Sequence, residues 1–426
     1  MKEFERMNEM KMFINHGIHR IYGMMVSLVL LFGVAVSAVA AEPGITVEAR
    51  QRYPWNGLVD LKFTITGDSG TKYDTSFTAK DMVGGTNIAM KTIRKSNGVA
   101  AEEKEKLLPG TYNWLWDAAA DLPKDFKCER MTVTGTAEQS QGLYMVIDLS
   151  SGANSSKYPV SYLDDVPSGG WSDEYKTTKL VLRRIEPGFF KMGGSYNVTL
   201  TKSFYIGIFE MTQHQWILVR GNNPVNDYKG DMRPVHEVSY DMIRGSSNGS
   251  KWPSSNSVDS GSFMGRMRSR TSLLFDLPTE AQWEYACRAG TTSKYNNGGN
   301  GTVDLTKLGR WHDNCDDGKG GISYNVQPTT VGLYQSNAWG LYDMHGNTWE
   351  CCLDFFGDLS SGVDPKGPLS GMIGDTLGIS YRVLRGGYFL GDAIECTSSY
   401  RTSFNPHSAG SNHYYYYGFR VCLTLQ

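Results

Sequence analysis

The 426-residue sequence contains no CxxC pair, no HxxxH and no HExxH, which removes the ligand spacings of the common zinc and iron sites. A transition-metal centre built on histidine is not expected. Positive charge is not in excess either: 42 Lys and Arg against 44 Asp and Glu give a net charge of −2, so a polybasic footprint for nucleic acid is missing. No nucleic-acid partner is expected. Beyond residue 41 no apolar run is long enough to span a bilayer, and recognisable helical stretches are few. Glycine is abundant at 48 residues and aromatics make up 12%. That composition, with 40% hydrophobic residues, predicts a loop-rich α+β protein of two or three domains.

The first twenty residues carry Lys2, Arg6, Lys11 and Arg20, and Ile21 to Ala41 is uncharged and ends in Ala38-Val39-Ala40. A basic start, an apolar stretch and a small-x-small site read as a secretory signal peptide over 1–41. The mature chain is then expected outside the cytoplasm, secreted, periplasmic or at the cell surface, with no membrane span after cleavage. Seven cysteines are an odd number, so at least one thiol is left unpaired or intermolecular in a compartment where disulfides can form.

Val59, Leu61, Phe63 and Ile65 alternate with Asp60, Lys62, Thr64 and Thr66, the period-two pattern of a half-buried strand. Tyr73 to Ala79, Thr111 to Trp116 and Arg130 to Thr134 repeat the signal between turn residues. These predict a small all-β, sandwich-like domain over 42–138. Residues 139–178 have linker composition broken by one apolar strand, Leu143 to Leu149. Beyond them, Thr212-x-x-Gln215 and Thr279-x-x-Gln282 are capping boxes that start two helices, with Gly221 and Gly290 suited to their C-terminal ends.

Ile185-Glu186-Pro187-Gly188-Phe189-Phe190-Lys191-Met192-Gly193, Phe204 to Thr212 and Leu277-Pro278-Thr279-Glu280-Ala281-Gln282-Trp283-Glu284-Tyr285 occur in that order. Gly340 to Glu350, Arg382-Val383-Leu384-Arg385-Gly386-Gly387 and Gly418-Phe419-Arg420 follow. In this order they resemble the formylglycine-generating enzyme (sulfatase-modifying factor) family across about 179–426. The resemblance implies a C-type-lectin-like fold, with two helices, a twisted antiparallel sheet and long loops that hold calcium. Carried over by motif, Asp343, Gly346, Thr348 and Glu350 form one calcium site, Gly346 and Thr348 through their carbonyls. Glu210, with Asn314 and Cys315, stands at a second. Calcium needs six to eight oxygens of this kind.

The enzyme of that family oxidises a sulfatase cysteine to formylglycine with copper(I) held by two thiolates, four and nine residues after Gly-Gly. Counting from Gly387, the ninth residue is Cys396 but the fourth is Gly391. One thiolate does not make a two-sulfur copper(I) site. Copper is therefore not expected, and Cys396 is catalytic only if the chain is an active oxidase, which is the alternative reading.

Residues 388–417 read YFLGDAIECTSSYRTSFNPHSAGSNHYYYY, with six tyrosines and no Lys, Met, Trp, Gln or Val. Tyrosine with small polar residues is the composition of paratopes. The window also resembles the variable region of proteins diversified by retroelement mutagenesis at adenines, in which randomised Asn codons yield nearly every residue found at 388–394 and 407–417. Glu395 does not fit that rule. The leading expectation is an exported ligand-binding protein whose contact face includes Tyr388, Phe389, Leu390, Asp392, His407, Ser408, Asn412, His413, Tyr414, Tyr415 and Tyr416. Its partner is expected to be a protein or glycan outside the cytoplasm.

Overall fold

The computed structural model describes residues 44–425 apart from 54–55, 68, 70, 84, 103–104, 125, 127–130, 316–326, 372–378 and 409–415. The expected signal segment 1–41, Cys128 and the expected contact residues Asn412, His413, Tyr414 and Tyr415 lie outside the described residues. The chain divides into two compact units, 1–141 and 142–426.

Alternation of apolar and polar residues builds the first unit. Its strands are β1 (Gly44–Gln51), β2 (Leu58–Thr66), β3 (Tyr73–Asp81), β4 (Asn87–Ala89), β5 (Ile93–Arg94), β6 (Glu105–Leu107), β7 (Gly110–Asp117) and β8 (Met131–Gln139). One sheet has the order β1-β2-β7-β5; in the other β4, β8 and β6 pair with β3. Leu61, Phe63, Trp114 and Trp116 from the first sheet pack with Phe77, Ala79 and Val133 from the second, as in a sandwich.

In the second unit β9 (Tyr144–Asp148) is buried on both sides. Tyr144 and Val146 join one core while Met145 and Ile147 join another. A strand covered on both faces reads as a continuous apolar run without period two. The stretch 139–178, expected as a linker, is accordingly corrected: Gln139 ends β8, and β9 and β10 (Val160–Leu163) enter the sheet β10-β9-β11-β14-β20. Its other members are β11 (Lys179–Ile185), β14 (Phe204–Gly207) and β20 (Cys422–Thr424), with β12 (Gly188–Met192) and β13 (Tyr196–Leu200) forming a side hairpin. The remaining strands are β15 (Trp349–Phe355), β16 (Gly362–Val363), β17 (Arg382–Arg385), β18 (Thr402–Phe404) and β19 (Tyr417–Gly418). They give a sheet of order β18-β17-β15-β19, and β16 extends the hairpin. β15 pairs with β19, and β13 with β16, in parallel, so the sheets are not wholly antiparallel.

Both capping boxes are formed. Thr212 accepts from the Gln215 N–H and Thr279 from the Gln282 N–H, starting helices Gln213–Arg220 and Glu280–Arg288. Gly221 ends the first in the left-handed region; at the second, Ala289 takes that role, one residue before the expected Gly290. A third helix, Phe263–Thr271, is N-capped by Ser262 and buries Phe263, Met264 and Met267.

Candidate functional site

Helix Glu280–Arg288 places Glu280, Glu284 and Arg288 on one face by its i, i+4 spacing. Buried Arg385, at the end of β17, donates from Nη2 to Glu284 and lies 3.5 Å from Glu280. Arg401 grips Glu280 with two hydrogen bonds of 2.7 and 2.6 Å, and Arg288 Nε donates to Glu284 at 2.8 Å. Two buried carboxylates are thus matched by three guanidiniums, which offsets their desolvation. Trp283, between them, donates its indole N–H to Glu350 (2.7 Å) on β15, and Glu350 also receives Arg420 through Nε and Nη2. Arg420 donates further to the carbonyls of Gly207 and Tyr342. The helix, β15, the Gly386-Gly387 turn and the C-terminal Gly418-Phe419-Arg420 are therefore tied into one frame. Composition gave no sign of this ion-pair assembly, because partners up to 121 residues apart meet only in the fold.

Gly386 and Gly387 have φ of +93° and +78°, conformations that favour glycine. A Cβ on Gly387 would lie 2.5 Å from Cys396 Sγ, so this turn is what carries the chain past the thiol. Cys396 is fully buried beside Tyr295, Leu308 and Trp311. Burial pushes its thiol well above the ordinary cysteine range, and nearby Glu395 pushes the same way. A Cβ on Gly391 would meet Glu395 Oε2 at 2.9 Å and the Tyr388 ring at 3.0 Å. The position of the first thiolate is thus occupied by a carboxylate and an aromatic edge.

The motif order has a geometric counterpart: the Leu277-to-Tyr285, Gly340-to-Glu350, Arg-Gly-Gly and Gly-Phe-Arg segments meet at Trp283, Glu350, Arg385 and Arg420. Residues 172–425 match the sulfatase-modifying factor enzyme 1-like domain. The chain belongs to that family. With it comes the C-type-lectin-like α+β architecture of the second unit. The formylglycine-generating enzyme of Streptomyces coelicolor is 35% identical over 145 residues, 32% of this chain and 41% of that enzyme. The chaperone protein LppX of Paenibacillus barcinonensis is 28% identical over 273 residues, 53% of this chain and 84% of that protein. The chain therefore spans less than half the length of the Streptomyces enzyme it matches. Among solved structures, Treponema denticola variable protein 1 overlays with a TM-score of 0.44 at 23% identity, covering 58% of this chain and 96% of that one.

Gly391 supplies no sulfur for the two-thiolate copper(I) pair, and Cys396 is held in a buried, thiol-favouring setting. The other described cysteines, 287, 315, 351, 352 and 422, are free and buried. Cys315 donates to the Phe389 carbonyl, and burial raises its thiol to about 11.

The expected calcium residues Asp343 and Glu350 are both buried, as is Glu210. Arg420 is the guanidinium that faces all three carboxylates. Burial raises Asp343 to about 6 and lifts Glu210 well above the carboxylate range, with Asp343 and Glu350 adding to the effect on Glu210. Asp343 Oδ2 accepts from the Gly332 N–H, while Oδ1 is buried without a hydrogen-bond partner among the described residues. Glu350 is engaged by Arg420 and Trp283, and Glu210 by Thr348 and Asn347. Asn314 is closed on its own turn, accepting from the Trp311 N–H and donating to the Gly309 carbonyl. Among the described residues no three His, Cys, Asp or Glu side chains are grouped to hold a metal. Of the expected ligand carboxylates, Asp343 is the one that keeps an oxygen, Oδ1, with no hydrogen bond among the described residues.

The expected contact window separates into two classes. Asp392 and His407 are exposed, and Tyr388, Leu390 and Ser408 are half-buried. Phe389 and Tyr416, expected on the face, are instead buried, with ring centroids 4.5 Å apart. Tyr388 stacks on both Trp349 and Tyr416, and Tyr228 and His236 also pack on Tyr416. Ile394, which residue type alone did not single out, is 59% exposed.

Proposed function

We propose that this protein is an exported ligand-binding protein that uses a formylglycine-generating-enzyme-like domain as a frame and the segment 388–417 as its contact face. The observation that carries the reading is the anchoring of that segment. It leaves β17 at buried Arg385 and returns to β15 through β19, and between these fixed ends Asp392, Ile394 and His407 face solvent. Sequence can change at such positions without loss of the frame, which is what a diversified face requires. The residue types at 388–394 and 407–417, nearly all reachable from an Asn codon randomised at adenine, support the same reading. The partner is a protein or glycan, since exposed Asp392 and His407 beside the half-buried Tyr388 suit hydrogen bonding at a wet interface.

Randomising 392, 394 and 407 together should leave a folded library whose members bind different proteins or glycans on an array. A library that unfolds, or one that binds nothing, removes the reading. The oxidase alternative has its own test. Protein treated with copper(I) should leave a sulfatase-motif cysteine peptide unconverted by mass spectrometry, and formylglycine formation would restore the enzyme reading. Gly391→Cys, alone or with Glu395→Ala to clear the carboxylate that a Cβ there would meet, is expected to acquire copper(I) that the parent does not bind.

We further propose that calcium binds beside Asp343, with the Gly346 and Thr348 carbonyls. The buried, unpartnered Oδ1 and the surplus of carboxylates over guanidinium around Arg420 support it. Saturating calcium at about 100 times the Kd stabilises a folded state by about 2.7 kcal/mol. The expected result is a higher Tm in calcium than in chelator, abolished by Asp343→Ala. Equal melting temperatures in calcium and chelator would remove calcium from the account.

A further inference from the structure

The outer face of the β1-β2-β7-β5 sheet in the first unit, outside the family match, carries a groove of about 460 Å³. Strand register fixes what lines it. Arg50, Asp60, Leu115 and Arg94 form one row across the four strands, and Glu48, Lys62 and Asn113 form the next. The turn after β5 supplies a wall: Lys95 N–H donates to the Val99 carbonyl and Gly98 N–H to the Lys95 carbonyl, with Ser96 on the rim.

Five cations line the groove, Arg50, Arg52, Lys62, Arg94 and Lys95, against Glu48 and Asp60. Arg52 is tied to Asp60 by hydrogen bonds of 3.0 and 2.7 Å, and Lys95 to Glu105 at 2.6 Å. Arg50 reaches Glu48 only at 3.8 Å, on an exposed surface where such pairs contribute little. Lys62 and Arg94 are exposed and have no ion pair among the described residues. Strands about 4.8 Å apart put Arg50 and Arg94 roughly 14 Å from each other across the sheet. Positive charge therefore sits at both ends of one row, with Lys62 in the row beside it, instead of closing on one point.

We infer that this groove binds an acidic polysaccharide, a polymer whose carboxylate or sulfate groups recur along an extended chain. The floor favours that class over others. Trp114, the aromatic ring that lines the groove, is only 5% exposed, so there is no open ring face for stacking a nucleobase. Leu115 is the apolar member on the open face, and it is half-buried. That is less than the aromatic anchors on which protein interfaces depend. Asn113 and Ser96 supply neutral hydrogen-bonding groups for hydroxyls.

The test uses the full chain against polygalacturonate and dextran sulfate, with neutral dextran and a single-stranded oligothymidine as comparisons. Binding to at least one acidic polysaccharide, weakened by salt, is expected, with none to neutral dextran. Lys62→Ala/Arg94→Ala should weaken it by about tenfold or more with Tm unchanged. Lys157→Ala, which removes an exposed charge from the second unit, should leave binding as it was. Loss of affinity in the double variant alone supports the groove. Equal loss in Lys157→Ala, unaltered binding in the double variant, capture of neither acidic polymer, or tighter capture of oligothymidine each overturns it.

Discussion

Arg420→Ala is expected to destabilise the second unit by about 3–5 kcal/mol, because it leaves the buried Glu350 carboxylate without its countercharge. Arg420 is fully buried, and its loss also frees the Gly207 and Tyr342 carbonyls. For a unit of this size the shift is a fall of roughly 10 °C in Tm, readable by calorimetry or circular dichroism. Removing both charges at once, in Arg420→Met/Glu350→Gln, should cost less than Arg420→Ala alone, since no buried charge is then left unpaired. A loss under about 1 kcal/mol for Arg420→Ala would mean that Trp283 alone can hold Glu350.

The second large effect separates the two classes of side chain in 388–417. Phe389→Ala and Tyr416→Ala each remove a buried ring from the cluster with Tyr228, Tyr388 and Trp349, and should cost about 3–5 kcal/mol. Asp392→Ala and Ile394→Ala should stay within about 0.5 kcal/mol. His407, whose Nδ1 pairs with Asp241 Oδ2 at 2.7 Å on the surface, should lose no more than about 1 kcal/mol on truncation. Urea midpoints for the five variants decide the matter. If Ile394→Ala costs as much as Phe389→Ala, position 394 belongs to the core and not to a contact face.

Local chemistry was legible wherever the chain's own neighbours set it. The boxes at Thr212 and Thr279 need only a residue three positions on, and Val59 to Ile65 needs only its alternation. The ordered motifs gave the family and the fold of the second unit. Three features were hidden, each for a physical reason. β9 looked like an isolated apolar run because both of its faces are covered. Helix Phe263–Thr271 carries Arg266, Arg268 and Arg270 among its apolar residues, and Gly265 is needed there because a Cβ would lie 2.1 Å from the Asp259 carbonyl oxygen. The charge of Glu280, Glu284, Arg385 and Arg420 suggests solvent, yet all four are buried, each paired with residues distant in sequence. Likewise the tyrosine-rich composition of 388–417 could not say which rings face inward. Nor does the order of the motifs along the chain show that the strands at Arg-Gly-Gly and Gly-Phe-Arg flank β15 on opposite sides without pairing with each other.

That placement has a consequence for length as well as for sequence. The chain crosses from one flank of β15 to the other, pinned on the way where Thr402–Phe404 pairs with β17. Each span between pins is a closed loop whose ends are held by the sheet whatever it contains. The entropy of closing such a loop grows only with the logarithm of its length, so doubling the number of residues adds about 0.6 kcal/mol. Relatives built on this frame can therefore differ by whole inserted segments between Pro406 and Tyr416 at little more thermodynamic expense than a single surface substitution, and reach, not just chemistry, becomes adjustable.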